Sequence, residues 1–115
     1  MKNYNLLHLG IGNIGTELVN QILKAGEHIE KKYGVKFTYC GLYTSSCGIF
    51  NKNGLDTQKE LLNIKNRNTK NEISIDQAIT ECNTPFILID TTNSNNNYQN
   101  IKLTLQKGVC NAMDV

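Results

Sequence analysis

Residues 6–15 read Leu6-Leu7-His8-Leu9-Gly10-Ile11-Gly12-Asn13-Ile14-Gly15, a short apolar run set directly against Gly10-x-Gly12-x-x-Gly15. A glycine pattern alone is a weak signal. It gains weight when a strand precedes it and an amphipathic helix follows, and both are present here. Gly10 permits a tight turn from strand to helix, Gly12 lets backbone approach a pyrophosphate with no side chain between them, and Gly15 lets the helix pack close to the sheet. A helix starting near Asn13 aims its free N–H groups and the positive end of its dipole at the phosphates. The stretch therefore predicts a dinucleotide-binding turn built from Gly10, Gly12, Asn13, Ile14 and Gly15. The fold class that goes with it is α/β, a Rossmann-like parallel sheet with helices on both faces. A glycine-rich turn without a ligand is the plainer alternative, and the strand-turn-helix context weighs against it.

Outward from this turn, residues 4–9 are apolar apart from Asn5 and His8, as suits a central parallel strand covered on both faces. His8 lies inside that strand, so a hydrogen-bonded core histidine is expected in preference to a group at the ligand. Over 13–32, Ile14, Leu18, Val19, Ile22, Leu23 and Ile29 recur at helical spacing and predict a face buried on the sheet. Gly34 stops the helix, with Lys31 and Lys32 complementing its carbonyl end. Residues 35–43 are rich in β-branched and aromatic side chains and read as the second strand. In the usual pattern an Asp or Glu at its end binds the adenosine ribose 2′-hydroxyl, and a nearby Arg favours a 2′-phosphate. Thr44-Ser45-Ser46 stands there instead, so hydroxyls are the candidate contacts, and NAD against NADP stays open.

Further along, 47–53 reads as a short hairpin-like excursion that turns at Asn53-Gly54. Asp56 caps a helix from Thr57 carrying Leu61, Leu62 and Ile64, and 66–71 is polar linker. Ser74 with Gln77 forms a capping box for a short helix through Ile79 to Glu81. Residues 85–90 are the third strand, leaving through Thr91-Thr92-Asn93-Ser94, and small polar residues at such a strand exit are where doubly wound folds bind ligands. An ordinary turn or helix cap is the alternative there. Asp90 is expected to accept backbone N–H bonds at that exit and not to act in acid-base chemistry. Tyr98, Ile101, Leu103 and Leu105 predict a further helix stopped at Gly108, and Val109 opens the next strand.

The bulk properties narrow the partners. The 115 residues are expected to form one domain, small for a doubly wound fold, so the sheet is expected to be incomplete and the chain part of a longer one. A net charge of +2, with charged residues at 19% and both signs interspersed, gives no basic stripe and argues against nucleic acid. No apolar run reaches bilayer length and residues 1–4 carry no signal-peptide pattern, so no membrane is expected and a cytoplasmic location is. Cys40, Cys47, Cys82 and Cys110 make no C-x-x-C pair and have no nearby His, which predicts buried or half-buried thiols and no metal.

Taken in order, these features resemble the N-terminal cofactor domain of homoserine dehydrogenase over nearly the whole chain. Gly10-Ile11-Gly12-Asn13-Ile14-Gly15 is similar to that family's G-x-G-x-V-G, with Ile14 for the usual Val. The stretch over 27–35 and Cys40-Gly41-Leu42 resemble its long first helix and second strand. Tyr43-Thr44-Ser45-Ser46 falls where it commonly has Ala-Asp/Asn-Ser, and Asn51-Lys52-Asn53-Gly54-Leu55-Asp56 resembles its turn before the second helix. Ile89-Asp90-Thr91-Thr92-Asn93-Ser94 resembles its D-x-T-N/S strand exit, which contacts the nicotinamide side of the cofactor. Two departures stand out. Thr44 replaces the acidic or amide residue, and after Lys107-Gly108 the chain reads Val109-Cys110-Asn111-Ala112-Met113-Asp114-Val115 where the family's strand ends in Ala-Asn-Lys with a catalytic Lys.

The resemblance implies an oxidoreductase interconverting aspartate semialdehyde and homoserine by hydride transfer with NAD or NADP. It also implies a small-molecule substrate held mainly by residues outside this chain, a homodimer at full length, and cofactor contacts at Thr91, Thr92 and Asn93. No catalytic residue is expected within the 115 residues, and the chain alone is not expected to turn over substrate. From the residues without the resemblance, the reading stops at a dinucleotide-binding domain. A non-catalytic binding or sensing module is then the rival, since fold alone does not imply function.

Overall fold

The computed structural model describes residues 2–45, 47–66 and 73–92 in full and 110–114 as backbone. The expectations for Ser46, Asn93, Ser94, the linker over 67–71 and the helix stopped at Gly108 lie outside the described residues.

Strand β1 (Lys2–Leu9) sits at the centre of the sheet. It pairs parallel with β2 (Val35–Tyr43) on one side and with β4 (Phe86–Asp90) on the other. Strand β5 (Cys110–Asp114) continues the parallel pairing beyond β4. At the opposite edge β3 (Gly48–Phe50) pairs antiparallel with β2, giving the order β3-β2-β1-β4-β5. The sheet is thus mostly parallel, and its one antiparallel pairing among the described strands falls where the sequence reads as a hairpin-like excursion. Residues 44–47 alone separate β2 from β3, and a parallel return needs a crossover of about a dozen residues or more.

Alternation along the strands sorts two apolar cores. Leu7, Leu9, Phe86 and Leu88 face one side with Ala78 and Ile79 of α3 (Ile75–Glu81). Leu6, Tyr39, Leu42 and Ile89 face the other with Val19 of α1 (Asn13–Tyr33) and Ile64 of α2 (Thr57–Lys65). Helices therefore cover both faces of a Rossmann-like sheet. A bulge serves this sorting: Leu6 pairs with Tyr39 but Leu7 pairs with Gly41, leaving Cys40 as the extra residue on β2. The shift keeps Tyr39 and Leu42 on the α1 side while Cys40 and Tyr43 join the α3 side. Gly41 accommodates the bend, since a Cβ there would run into Leu7 Cδ2.

The helix ends follow local chemistry. Asp56 accepts the Lys59 N–H at 3.5 Å to cap α2, and Ser74 Oγ accepts the Gln77 N–H at 3.2 Å to cap α3. Gly34, in the left-handed region at φ 65°, closes α1 through its N–H to Glu30 O at 3.0 Å. The N-terminus of α1 differs, because Gly12 occupies the cap position and supplies no side-chain hydrogen bond. The apolar face predicted for α1 is corrected at two positions, Ile14 at 72% exposed and Leu23 at 38%. Ile14 lies in the first turn of α1, past the end of β1 at Leu9. Among the described residues no helix is long and apolar enough to cross a membrane.

Candidate functional site

At the end of β1 the chain turns on the last carbonyl of β2: Gly10 N–H and Ile11 N–H both donate to Tyr43 O, at 2.8 and 2.9 Å. Gly12 N–H then bonds Gly10 O at 2.9 Å and α1 begins. The three glycines answer three different needs. Gly10 has φ +90°, and a Cβ there would lie 2.6 Å from Thr92 N and 2.8 Å from Thr91 C. At Gly15 a Cβ would strike Gly10 O and come within 2.9 Å of Thr91 Oγ1. At Gly12 a Cβ would meet nothing within 4 Å, so the space beside the uncapped end of α1 is open.

That space belongs to a cleft of about 710 Å³. Gly12 and Asn13 border it from α1, Thr44 and Ser45 from the turn after β2, and Leu62 and Lys65 from α2. The cleft thus brings together the glycine turn and the end of β2, two of the three groups of candidate residues read from the sequence. Thr44 also builds its own turn, its hydroxyl donating to Cys47 O at 3.0 Å and accepting the Cys47 N–H at 2.9 Å. Ile14 projects outward from the same first turn of α1.

The third group, Thr91 and Thr92, is placed differently. Thr91 Oγ1 donates to Gly10 O at 2.8 Å, and His8 Nε2 lies 2.9 Å from Thr91 Oγ1. With the threonine proton committed to Gly10, the imidazole must donate from Nε2, which leaves Nδ1 as an acceptor for Tyr39 OH at 3.4 Å. Thr92 gives both its N–H, at 2.9 Å, and its hydroxyl, at 2.6 Å, to Asp90 Oδ1. Asp90 therefore accepts a backbone N–H at the strand exit, as its position in the sequence predicts. The Thr91 hydroxyl fastens the exit of β4 to the glycine turn, the Thr92 hydroxyl closes the exit on Asp90, and neither threonine borders the cleft.

His8 is fully buried, and burial pushes its pKa down from 6.5 to about 4, against a smaller raising influence of the Asp90 charge. The folded state thus holds a neutral imidazole where the unfolded chain binds a proton below about pH 6.5. Its contribution to stability is complete above that pH and is lost as the pH falls towards the folded value. Urea denaturation at pH 7.5 and pH 5 should show a loss of about 2 kcal/mol from this residue. In His8→Gln that part of the loss should vanish, and an equal loss in the variant would assign it to other groups.

The contribution of α2 to the cleft was not read from the sequence. Gln58, Leu62 and Lys65 stand at i, i+4 and i+7, one helix face, and that spacing is the signal that carries it.

No protein-family model and no curated protein matches the sequence. Among solved structures the chain is similar to homoserine dehydrogenase from Thermoplasma acidophilum, with a TM-score of 0.72 and 16% identity. The match covers 98% of this chain and 35% of that one, so the chain spans about a third of its neighbour's length. The resemblance read from the sequence and the structural neighbour thus name the same enzyme. At this identity the likeness shows the fold: the chain has a Rossmann-like α/β fold shared with part of a homoserine dehydrogenase.

Proposed function

We propose that the cleft at the start of α1 binds NAD or NADP and that the chain is the cofactor-binding part of an oxidoreductase of the homoserine dehydrogenase type. The reaction on this reading interconverts aspartate semialdehyde and homoserine. The observation that carries it is Gly12, where the N-terminus of a 21-residue helix opens on a cleft with no side-chain cap and no atom in the way of a Cβ. Backbone N–H groups at Asn13 and Ile14 would hold the pyrophosphate, using the partial positive charge of the helix end, with Gly12 leaving the approach clear. The turn at Thr44 and Ser45 would meet the adenosine ribose. Thr91 holds the glycine turn in place through Gly10, and Thr92 fixes the exit of β4 through Asp90. When bound, the nicotinamide supplies the hydride chemistry, while the protein supplies orientation and electrostatics.

Titration calorimetry of the chain with NADH and NADPH tests this. Saturable binding of at least one, displaced by ADP, is expected. Absence of binding by both would overturn the reading.

A further inference from the structure

Helix α2 ends against the turn that follows β2. Ile64 O lies 3.9 Å from Cys47 Sγ, and Cys47 N–H in turn bonds Thr44 Oγ1 at 2.9 Å. Lys65, the next residue, borders the same cleft as Thr44, Ser45 and Gly12. It is the one cation on the described lining of that cleft, and Glu17 is the one anion. The two are not equivalent. Glu17 lies on the flank of α1, bonded to Gln21 at 3.2 Å, and also borders a separate depression with Gln21 and Lys24. Lys65 belongs to the cleft alone among the depressions described, and the single ion pair among the described residues is Lys31 with Glu27.

The end of β2 carries no carboxylate to accept a ribose 2′-hydroxyl or to repel a 2′-phosphate. A phosphate there would meet the Ser45 hydroxyl, on the turn that Thr44 braces through Cys47, and an ammonium on the adjoining helix end. We infer that Lys65 makes the cleft select a dinucleotide phosphorylated on its adenosine ribose, NADP over NAD. This rests on the cleft being the dinucleotide site. Lysine acts here as a point charge on a flexible stem, so arginine can replace it in sign if not in geometry. Lys65 also stands in the last turn of α2, where it complements the carbonyl end of the helix. That structural role would move the melting temperature but not the ratio of the two affinities.

The test is fluorescence titration of the chain, Lys65→Gln and Lys65→Arg with NADPH and with NADH, at low salt and at roughly 0.5 M salt. NADPH should bind about tenfold more tightly or better, equivalent to ~1.4 kcal/mol. Lys65→Gln should remove that advantage and leave NADH affinity within about twofold, and Lys65→Arg should retain it. High salt should shrink the advantage, because an exposed charge pair is screened. Equal affinities in the natural chain, or a preference that survives Lys65→Gln, would overturn the assignment of Lys65 while leaving the cleft as the site. Binding of neither nucleotide would instead overturn the cleft reading on which it rests.

Discussion

Gly12→Val is expected to leave the fold in place and to weaken dinucleotide binding by well over tenfold, a loss above about 1.4 kcal/mol. Gly12 has a negative φ, −115°, outside the left-handed region that favours glycine, and the space around its Cβ position is empty to 4 Å. Valine is a poorer helix cap than glycine, so stability should fall, but by only about 1 kcal/mol. Binding has no such tolerance. The branched side chain would occupy the space onto which the first N–H groups of α1 open, and those groups carry the partial positive charge that favours a phosphate. Circular dichroism and urea denaturation should report a folded variant, and calorimetry a lost or greatly weakened heat of binding. An unchanged affinity in a folded Gly12→Val would mean that the nucleotide, if bound, sits elsewhere.

What the sequence made legible are the features set by residues close together in the chain. The turn from β1 into α1, the caps at Asp56 and Ser74, and the stop at Gly34 each depend on residues within about one helical turn of each other. The bond between His8 and Thr91 spans 83 positions, and nothing local to either residue announces it. A buried, hydrogen-bonded histidine could be expected at position 8 because the strand around it is apolar. That its partner would be Thr91, read from the sequence as a cofactor contact, depends on β1 and β4 lying side by side. Ile14 and Lys65 show the same limit from another side. Helical periodicity assigns Ile14 to the apolar face but says nothing of where the sheet beneath it ends, and it places Lys65 on a face with Gln58 without saying what that face looks onto. The antiparallel β3 was half legible, because the short connection after β2 already forbids a parallel return.

Gly10→Ala should have the largest effect on stability, a loss of about 3 kcal/mol or more, from strain at positive φ added to overpacking. At φ +90° an L-residue is strained whatever room surrounds it, and here there is none: the new methyl would lie 2.6 Å from Thr92 N and 2.8 Å from Thr91 C. Both obstacles are backbone, held by Thr91 N–H to Leu9 O at 2.9 Å and by Thr92 N–H to Asp90 at 2.9 Å. Relief therefore requires β1 and the exit of β4 to move apart, which also breaks the Thr91 bond to Gly10 O and the seat of His8. For a domain whose whole stability is about 5–15 kcal/mol, this is a large fraction. Gly26→Ala, in the middle of α1 with nothing within 4 Å of its Cβ position, provides the contrast. There the removal of glycine from a helix interior should stabilise by roughly 0.5–1 kcal/mol. Urea denaturation of the two variants should move the midpoint in opposite directions. A Gly10→Ala as stable as the natural chain would mean that Thr91 and Thr92 do not close over the glycine turn, and the fastening of the site to β4 would have to be abandoned.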